Sequence, residues 1–173
     1  DVDTGSVDLG DPDDPCSVAS TIIRGPGNIS GNQWNRLGVV FTGTTTRKTV
    51  LNGFTFENIK RFYAITHPDT TTIRAWQGHQ RETKYFYVTK GSFLINWIEI
   101  DNWVQPSKDL KINAHTLSDT QSEILIIPPG HVNGFKALEP DSTMVVFSDM
   151  SLEESKNDDY RFPIDYWEMK ISR

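Results

Sequence analysis

The sequence predicts an all-β fold, a double-stranded β-helix barrel of the jelly-roll type. Short runs rich in Val, Ile, Phe, Tyr, Thr and Trp follow one another from Leu37 onward. Turns containing glycine or proline separate these runs, and long helical periodicity is missing. The 173 residues are enough for one domain with a substantial core.

The predicted strands share a short length and a high content of β-branched and aromatic residues: Leu37–Phe41, Lys60–Thr66, Thr71–Trp76, Lys84–Thr89, Ser92–Ile100, Glu123–Ile127, Gly134–Leu138 and Thr143–Phe147. Ser151–Lys156 predicts a helical turn or two. Both faces of Ser92–Ile100 carry large apolar side chains, as their alternation along the strand shows. This strand is therefore expected between two layers or at a subunit interface.

The chain divides into an arm, residues 1–33, and a barrel domain, residues 34–173. The arm is rich in Asp, Gly, Pro and Ser and is expected to be flexible or loosely docked. The net charge is −6 and there is no basic stripe, so nucleic acid is not an expected partner. No apolar run approaches membrane-spanning length. Cys16 is the single cysteine, which excludes a disulfide framework.

Two stretches predict a polar site inside the barrel. Ile73–Gln80 places Arg74 and His79 at the end of a β-rich run. A tight turn at Pro128-Pro129-Gly130 precedes His131 and Asn133 on the next apolar strand. A histidine is the side chain whose ordinary pKa suits proton transfer near neutral pH.

The pattern does not predict a metal site. Cupin barrels usually bind a metal through two histidines one residue apart, a carboxylate, and a further histidine beyond a Pro-x-Gly turn. Gln77 and Asn133 stand at two of these four positions, which leaves His79 and Glu82. Amides are poor ligands for transition metals, so neither a metal nor another cofactor is expected.

Over about residues 58–168 the chain resembles the nucleotide-sugar cupins of deoxysugar biosynthesis. This family includes the rhamnose-pathway 3,5-epimerase and the 3,4-ketoisomerases, which act on dTDP-4-keto-6-deoxyglucose. The matching residues are, in chain order, Lys60-Arg61-Phe62-Tyr63, Ile73-Arg74, His79, Lys84, Leu117-Ser118, Ile127-Pro128-Pro129-Gly130, Asn133-Gly134-Phe135 and Asp158-Asp159-Tyr160-Arg161-Phe162.

The resemblance implies a metal-free epimerase or isomerase of a nucleotide-linked 4-keto-6-deoxy sugar, which removes a proton alpha to the C4 ketone. His79 would be the base, Asp159 or Asp158 its orienting carboxylate, and Lys84 the group that stabilises the enolate oxygen. Residues near the barrel mouth would bind the substrate: Arg74, Gln77, His131 and Asn133. The resemblance also implies a cytoplasmic homodimer, for which Ser92–Ile100 offers an apolar surface.

The chain departs from the family at positions that matter for catalysis. The epimerases have their base histidine at the position of Gln77 and another histidine at that of Asn133. The stretch that would carry their tyrosine acid has no tyrosine here, and Tyr63, Tyr85 or Tyr87 could replace it. The alternative function is therefore a non-catalytic barrel that binds a sugar or a sugar nucleotide and has lost the acid–base pair.

Overall fold

The computed structural model describes residues 21–24, 39–40, 48–49, 51 and 54–170. Within them the strands are β1 (Thr21–Arg24), β2 (Val39–Val40), β3 (Lys48–Thr49), β4 (Arg61–His67), β5 (Ile73–His79), β6 (Lys84–Lys90), β7 (Ser92–Glu99), β8 (Asn113–Ser118), β9 (Glu123–Ile127), β10 (His131–Ala137), β11 (Ser142–Ser148) and β12 (Tyr160–Arg161). One short helix, α1 (Leu152–Ser155), follows β11. None of the helices in these residues is long and apolar enough to cross a membrane.

Two antiparallel five-stranded sheets form the barrel, in the orders β1-β9-β6-β11-β4 and β12-β5-β10-β7-β8. Their inner faces bury one apolar core: Phe86, Val88, Phe93, Ile95, Trp97, Leu117, Leu125, Ile127, Phe135, Ala137, Met144 and Val146. A separate two-stranded sheet pairs β2 with β3. This architecture confirms the predicted all-β jelly-roll barrel.

The strand predictions are most accurate where apolar residues alternate between clear turn residues. β9 has the predicted bounds, β6 and β7 differ from prediction by one residue at one end, and β11 differs by one residue at each end. β8 was not expected because its sequence is largely polar, and its residues are mostly half-buried. β7 pairs with β10 on one side and with β8 on the other, and all its residues except the last are buried. It therefore lies between two layers, and the expectation that it offers a dimer surface is wrong.

Part of the predicted arm belongs to the barrel. Thr21–Arg24 pairs in antiparallel register with Glu123–Ile126 of β9. Val39–Val40, inside the predicted strand Leu37–Phe41, pairs with β3. The remainder of residues 1–33 lies outside the described residues, so the boundary of the arm stays a prediction.

Strand register concentrates the inward-facing polar residues at one end of the barrel. In the first sheet Ser148 of β11 is paired with Lys84 on one side and with Arg61 on the other. In the second sheet His131 is paired with His79, and Asn133 with Gln77. Directly opposed residues on neighbouring antiparallel strands project to the same face. At this end of the barrel, pairing therefore brings together residues that are far apart in the sequence, such as Arg61 and Ser148, which are 87 positions apart.

Candidate active site

A cavity of about 170 Å³ lies between the two sheets near the polar end of the barrel. Its walls combine apolar, amide, phenol and cationic side chains: Tyr63, Ile65, Ile73, Arg74, Ala75, Gln77, Lys84, Phe86, Asn133, Phe135 and Arg161. Three of these described lining residues are cationic (Arg74, Lys84 and Arg161), and none is a carboxylate. The cavity therefore favours an anionic ligand, although the chain as a whole carries a net negative charge.

Four of the residues that the sequence predicts for the site line this one cavity. They are Arg74, Gln77, Lys84 and Asn133. Arg74 lies over the ring of Phe135, with its guanidinium carbon 5.9 Å from the ring centroid. The amide nitrogen of Asn133 donates to the backbone carbonyl of Gln77 at 3.1 Å, which ties β10 to β5 beside the cavity.

Lys84 presents a buried ammonium group to the cavity. Its Nζ atom donates to Glu82 Oε1 at 2.7 Å and lies 3.4 Å from the hydroxyl of Tyr63. Among the three tyrosines that the sequence leaves open as acids, Tyr63 lines the cavity. Tyr85 and Tyr87 instead pack in a cluster with Leu51 and Ile124. Of these three tyrosines, Tyr63 is the one that lines the cavity together with Lys84.

Glu82 connects the polar residues of this end, and sequence reasoning considered it only as a metal ligand. Its Oε1 atom accepts hydrogen bonds from Arg61 at 2.7 Å, Lys84 at 2.7 Å and Ser148 at 2.5 Å. Burial raises the pKa of the Glu82 carboxyl, but the hydrogen bonds from Lys84 and Ser148 outweigh this effect and leave the pKa below its ordinary value. Glu82 is therefore ionised at neutral pH.

His79 is buried at the end of β5 and is not among the residues that line the cavity. Its Nδ1 atom lies 2.5 Å from the backbone carbonyl oxygen of Asp158 and 3.1 Å from Glu82 Oε2. A carbonyl oxygen only accepts, so Nδ1 carries the proton and Nε2 keeps its lone pair. Burial, and then the charge of Lys84, lowers the pKa of His79 below 6.5. The ring is therefore a neutral base, and its Nε2 has no hydrogen-bond partner among the described residues.

The two aspartates near β12 have different partners from those that the sequence predicts. The carboxylate of Asp158 accepts the backbone N–H groups of Gln80, Arg81 and Glu82 at 3.0, 3.0 and 3.1 Å, and so holds the turn after β5. The carboxylate of Asp159 accepts hydrogen bonds from Gln77 at 2.8 Å and from Arg161. The orienting role assigned to Asp159 is thus corrected, because the contact to His79 comes from the Asp158 carbonyl.

His131 also differs from its expected role at the barrel mouth. It is buried, and its Nδ1 atom lies 3.0 and 3.2 Å from the carbonyl oxygens of Pro129 and Pro128. Gly130 adopts a φ of 84°, a left-handed conformation that glycine tolerates without strain. His131 therefore braces the turn before β10 and is not among the cavity-lining residues.

A metal-binding cluster is not formed by the residues that the structure describes. Among them, no group of three or more His, Cys, Asp or Glu side chains could hold a metal ion. At the two positions where the sequence lacks the expected histidines, the amides of Gln77 and Asn133 face the cavity.

Comparison with solved structures finds proteins of this fold, whereas comparison by sequence finds no match. No family model matches the chain, and no curated protein matches it by sequence. A dTDP-4-dehydrorhamnose 3,5-epimerase from Sulfolobus tokodaii is similar with a TM-score of 0.61 and 20% identity, covering 91% of this chain and 85% of that one. The 3,4-ketoisomerase QdtA from Thermoanaerobacterium thermosaccharolyticum, solved as a mutant in complex with TDP-4-keto-6-deoxyglucose, has a TM-score of 0.56 and 16% identity over 85% and 90% of the two chains.

A third solved structure is similar over only part of its length. The Mycobacterium tuberculosis rmlC epimerase has a TM-score of 0.51 and 14% identity, covering 61% of this chain. This chain spans about half of its length, 52%. At these identities the likeness concerns the fold. The chain has the fold of the dTDP-sugar epimerases and ketoisomerases, as the resemblance to nucleotide-sugar cupins predicts.

Proposed function

We propose that this protein is a metal-free isomerase or epimerase of a nucleotide-linked 4-keto-6-deoxy sugar. The observation that carries the proposal is a cationic cavity whose wall contains Lys84, joined through Glu82 to the neutral base His79. A structural neighbour solved with TDP-4-keto-6-deoxyglucose supports this class of substrate.

The cationic residues have two roles: the arginines bind the substrate, and Lys84 activates it. Arg74 and Arg161 are the lining residues suited to the diphosphate, because a planar guanidinium can donate two hydrogen bonds to one phosphate. Lys84 donates to the C4 oxygen as that oxygen gains charge. Tyr63, whose hydroxyl lies 3.4 Å from Lys84 Nζ, is the candidate for returning a proton to the sugar.

His79 supplies the base in this mechanism. Its Nε2 lone pair takes the proton alpha to the ketone, and the C–H electron pair moves to form an enolate with its charge on the C4 oxygen. Reprotonation of the same carbon on the opposite face gives an epimer. Reprotonation at C4, with the C3 hydroxyl giving up its proton to become the ketone, gives the 3-keto isomer. Because His79 is buried and does not line the cavity, substrate binding must bring the reacting carbon and the ring together.

Deuterium exchange tests the proposal directly. The protein is incubated with dTDP-4-keto-6-deoxyglucose in deuterated water, and the sugar protons are followed by NMR. We expect deuterium to enter C3 or C5, and we expect His79→Asn to abolish the exchange. His115→Asn is the matched control, since His115 pairs with Glu123 on other strands and does not line the cavity. Measurable binding without exchange in the wild-type protein contradicts an enzyme of this class.

A second candidate function is a non-catalytic barrel that binds a sugar or a sugar nucleotide. Two observations favour it: the lining residues include the amides of Gln77 and Asn133 and no histidine, and His79 Nε2 is buried. Such a barrel binds the nucleotide sugar in calorimetry and leaves its C3 and C5 protons in place. The deuterium experiment therefore separates the two functions.

We propose further that the protein is a homodimer that pairs through β4. Among the described residues β4 ends its sheet, and its central residues Phe62–Thr66 carry no charge. Phe62 is 71% exposed and adjoins an apolar groove that Phe56, Val145 and Phe147 help to line. Antiparallel pairing of two β4 strands would set the basic start of one strand against Asp69 of the other. A cytoplasmic location stays a prediction from the resemblance.

A further inference from the structure

We propose that Glu82 is a positioning residue that couples the base to the enolate-stabilising group, holding Lys84 towards the cavity and facing His79 with a negative charge. The proposal deepens the proposed function and rests on it for the roles of His79 and Lys84. Glu82 itself does not line the cavity. It acts through the two residues that it contacts.

The contacts on the lysine side fix the direction of the Lys84 side chain. Glu82 is fully buried, and its Oε1 atom is held by three donors on three different strands or loops: Arg61, Lys84 and Ser148. Arg61 is anchored in turn by Ser155, at 2.7 Å from its Nη1 atom. A buried carboxylate with this many partners has one available position. The ammonium group of Lys84, bound to it at 2.7 Å, therefore has one position as well.

On the histidine side, the second carboxylate oxygen of Glu82 faces the ring without a hydrogen bond. Glu82 Oε2 lies 3.1 Å from His79 Nδ1 but has no hydrogen-bond partner among the described residues, since the Nδ1 proton is directed to the Asp158 carbonyl. When His79 takes a proton at Nε2, the ring becomes an imidazolium within contact of this oxygen. Opposite charges in a buried environment attract strongly, so Glu82 stabilises the protonated base.

The charged and titratable groups near His79 lie on several neighbouring segments. They are Glu82, Lys84, Arg81, Asp158, Asp159 and His131. Asp158 is committed to three backbone N–H groups, and its Oδ2 atom is 4.0 Å from His79 Nδ1. Asp159 is committed to Gln77 and Arg161. Glu82 thus provides the carboxylate nearest to the ring, and it also binds the lysine. A purely structural ion pair would need only one of these two contacts.

A titration of the histidine ring tests the coupling without any enzyme assay. The ring nitrogens of His79 are followed by NMR in the wild-type protein and in Glu82→Gln. Removing the negative charge disfavours the imidazolium, so the pKa of His79 should fall further, by about one unit. Lys84→Met should shift the pKa in the opposite direction, because the charge of Lys84 lowers it. Glu123→Gln is the matched control: its partner is His115 at 2.8 Å, so it should leave His79 unchanged.

Kinetics then distinguish positioning from folding. Glu82→Gln should reduce the rate of deuterium exchange about 100-fold, with little change in KM, and Glu82→Asp should restore part of it. An unchanged His79 pKa in Glu82→Gln overturns the proposal. If Glu82→Gln does not fold, Glu82→Asp decides: its shorter side chain keeps the charge but withdraws it from the ring, so the His79 pKa should fall by less than in Glu82→Gln, and an unchanged pKa overturns the proposal. Because the titration needs no substrate, failure of the proposed function would leave its result interpretable.

Discussion

The Nδ1 atom of His79 lies 2.5 Å from the backbone carbonyl oxygen of Asp158, and this contact fixes which ring nitrogen is free. The same aspartate holds the turn after β5 through its carboxylate, so one residue sets both the position and the tautomer of the base.

The pH dependence of catalysis should have an acidic limb set by His79. Burial, with the charge of Lys84, lowers the pKa of His79 below 6.5. A base works only when deprotonated, so kcat/KM for deuterium exchange should fall as the pH drops through this lowered pKa. The pH–rate profile of the wild-type protein measures the limb. An activity that is already lost at or above the ordinary histidine pKa contradicts the assignment of His79 as the base.

Arg74 should contribute to nucleotide binding. Its guanidinium lines the cavity and stacks on Phe135, and the structure describes no carboxylate among the lining residues. Arg74→Ala should weaken dTDP binding by roughly 10- to 100-fold, the equivalent of one or two charge-assisted hydrogen bonds. Calorimetry gives the affinity, with Lys156→Ala as the control, because Lys156 pairs with Glu153 on the surface. Equal affinities in the two variants would show that Arg74 does not touch the ligand.

His67 offers a stability test that is independent of function. Its ring is buried between Phe93 and Phe135, and both ring nitrogens lack a hydrogen-bond partner among the described residues. Unsatisfied buried polar atoms destabilise a fold, so His67→Phe should raise the free energy of unfolding by about 1 kcal/mol at neutral pH. Urea denaturation measures this change.

The gain from His67→Phe should grow in acid. Burial, followed by the charge of Arg74, lowers the pKa of His67 below 6.5, so the unfolded chain binds the proton more readily than the folded one. Stability from the neutral ring is therefore present above the unfolded pKa and is lost as the pH falls below it. The difference between variant and wild type should be larger at about pH 5.5 than at about pH 7.5. A difference that shrinks in acid would refute this account.

The sequence predicts the barrel better than it predicts the contacts inside it. β9 and β6 were expected because apolar alternation and turn residues are local signals. The residues that line the cavity follow from the same periodicity, since Gln77 lies on the inner face together with Ala75. Alternation does not place Arg74 there, because it is three residues from Gln77; its position at the cavity depends on the irregular pairing of β5 with β10, where the register shifts between Asn133 and Phe135.

The sequence could not predict how Glu82 and Asp158 serve the site. Glu82 precedes β6 in a turn, and its partner Ser148 lies on β11, so only the sheet register brings them together. The contact from Asp158 to His79 uses a backbone carbonyl, which any residue carries. A prediction based on carboxylate side chains therefore selects Asp159 as the orienting residue. In the structure the Asp159 carboxylate binds Gln77.

Phe62 should control the oligomeric state. Phe62→Asp places a charge at the exposed apolar side chain near the start of the β4 edge and should convert a homodimer to a monomer. Sedimentation or light scattering measures the mass of the variant and of the wild-type protein. Val104→Asp is the control, because Val104 is 94% exposed on a loop away from β4. A wild-type protein that is monomeric, or a Phe62→Asp protein that stays dimeric, would rule out pairing through β4.

Gln77→His should increase catalysis instead of removing it. Gln77 lines the cavity, and its amide already donates to Asp159 at 2.8 Å. A histidine at this position would inherit the same carboxylate acceptor, which would fix a protonated nitrogen towards Asp159 and aim the other nitrogen at the ligand. The variant would then hold a base in the cavity wall, at the position where the family resemblance implies the base of an epimerase.

Deuterium exchange in Gln77→His, compared with wild type and with Gln77→Asn, measures this effect. We expect faster exchange, by about 10-fold or more, and dependence on Asp159, so that Gln77→His combined with Asp159→Asn returns to the wild-type rate or below. If the wild-type chain only binds its ligand, the variant should acquire exchange that the parent lacks. If Gln77→His binds the nucleotide sugar normally but exchanges no faster than Gln77→Asn, the reacting carbon does not lie beside Gln77, because proton transfer requires direct reach between base and carbon.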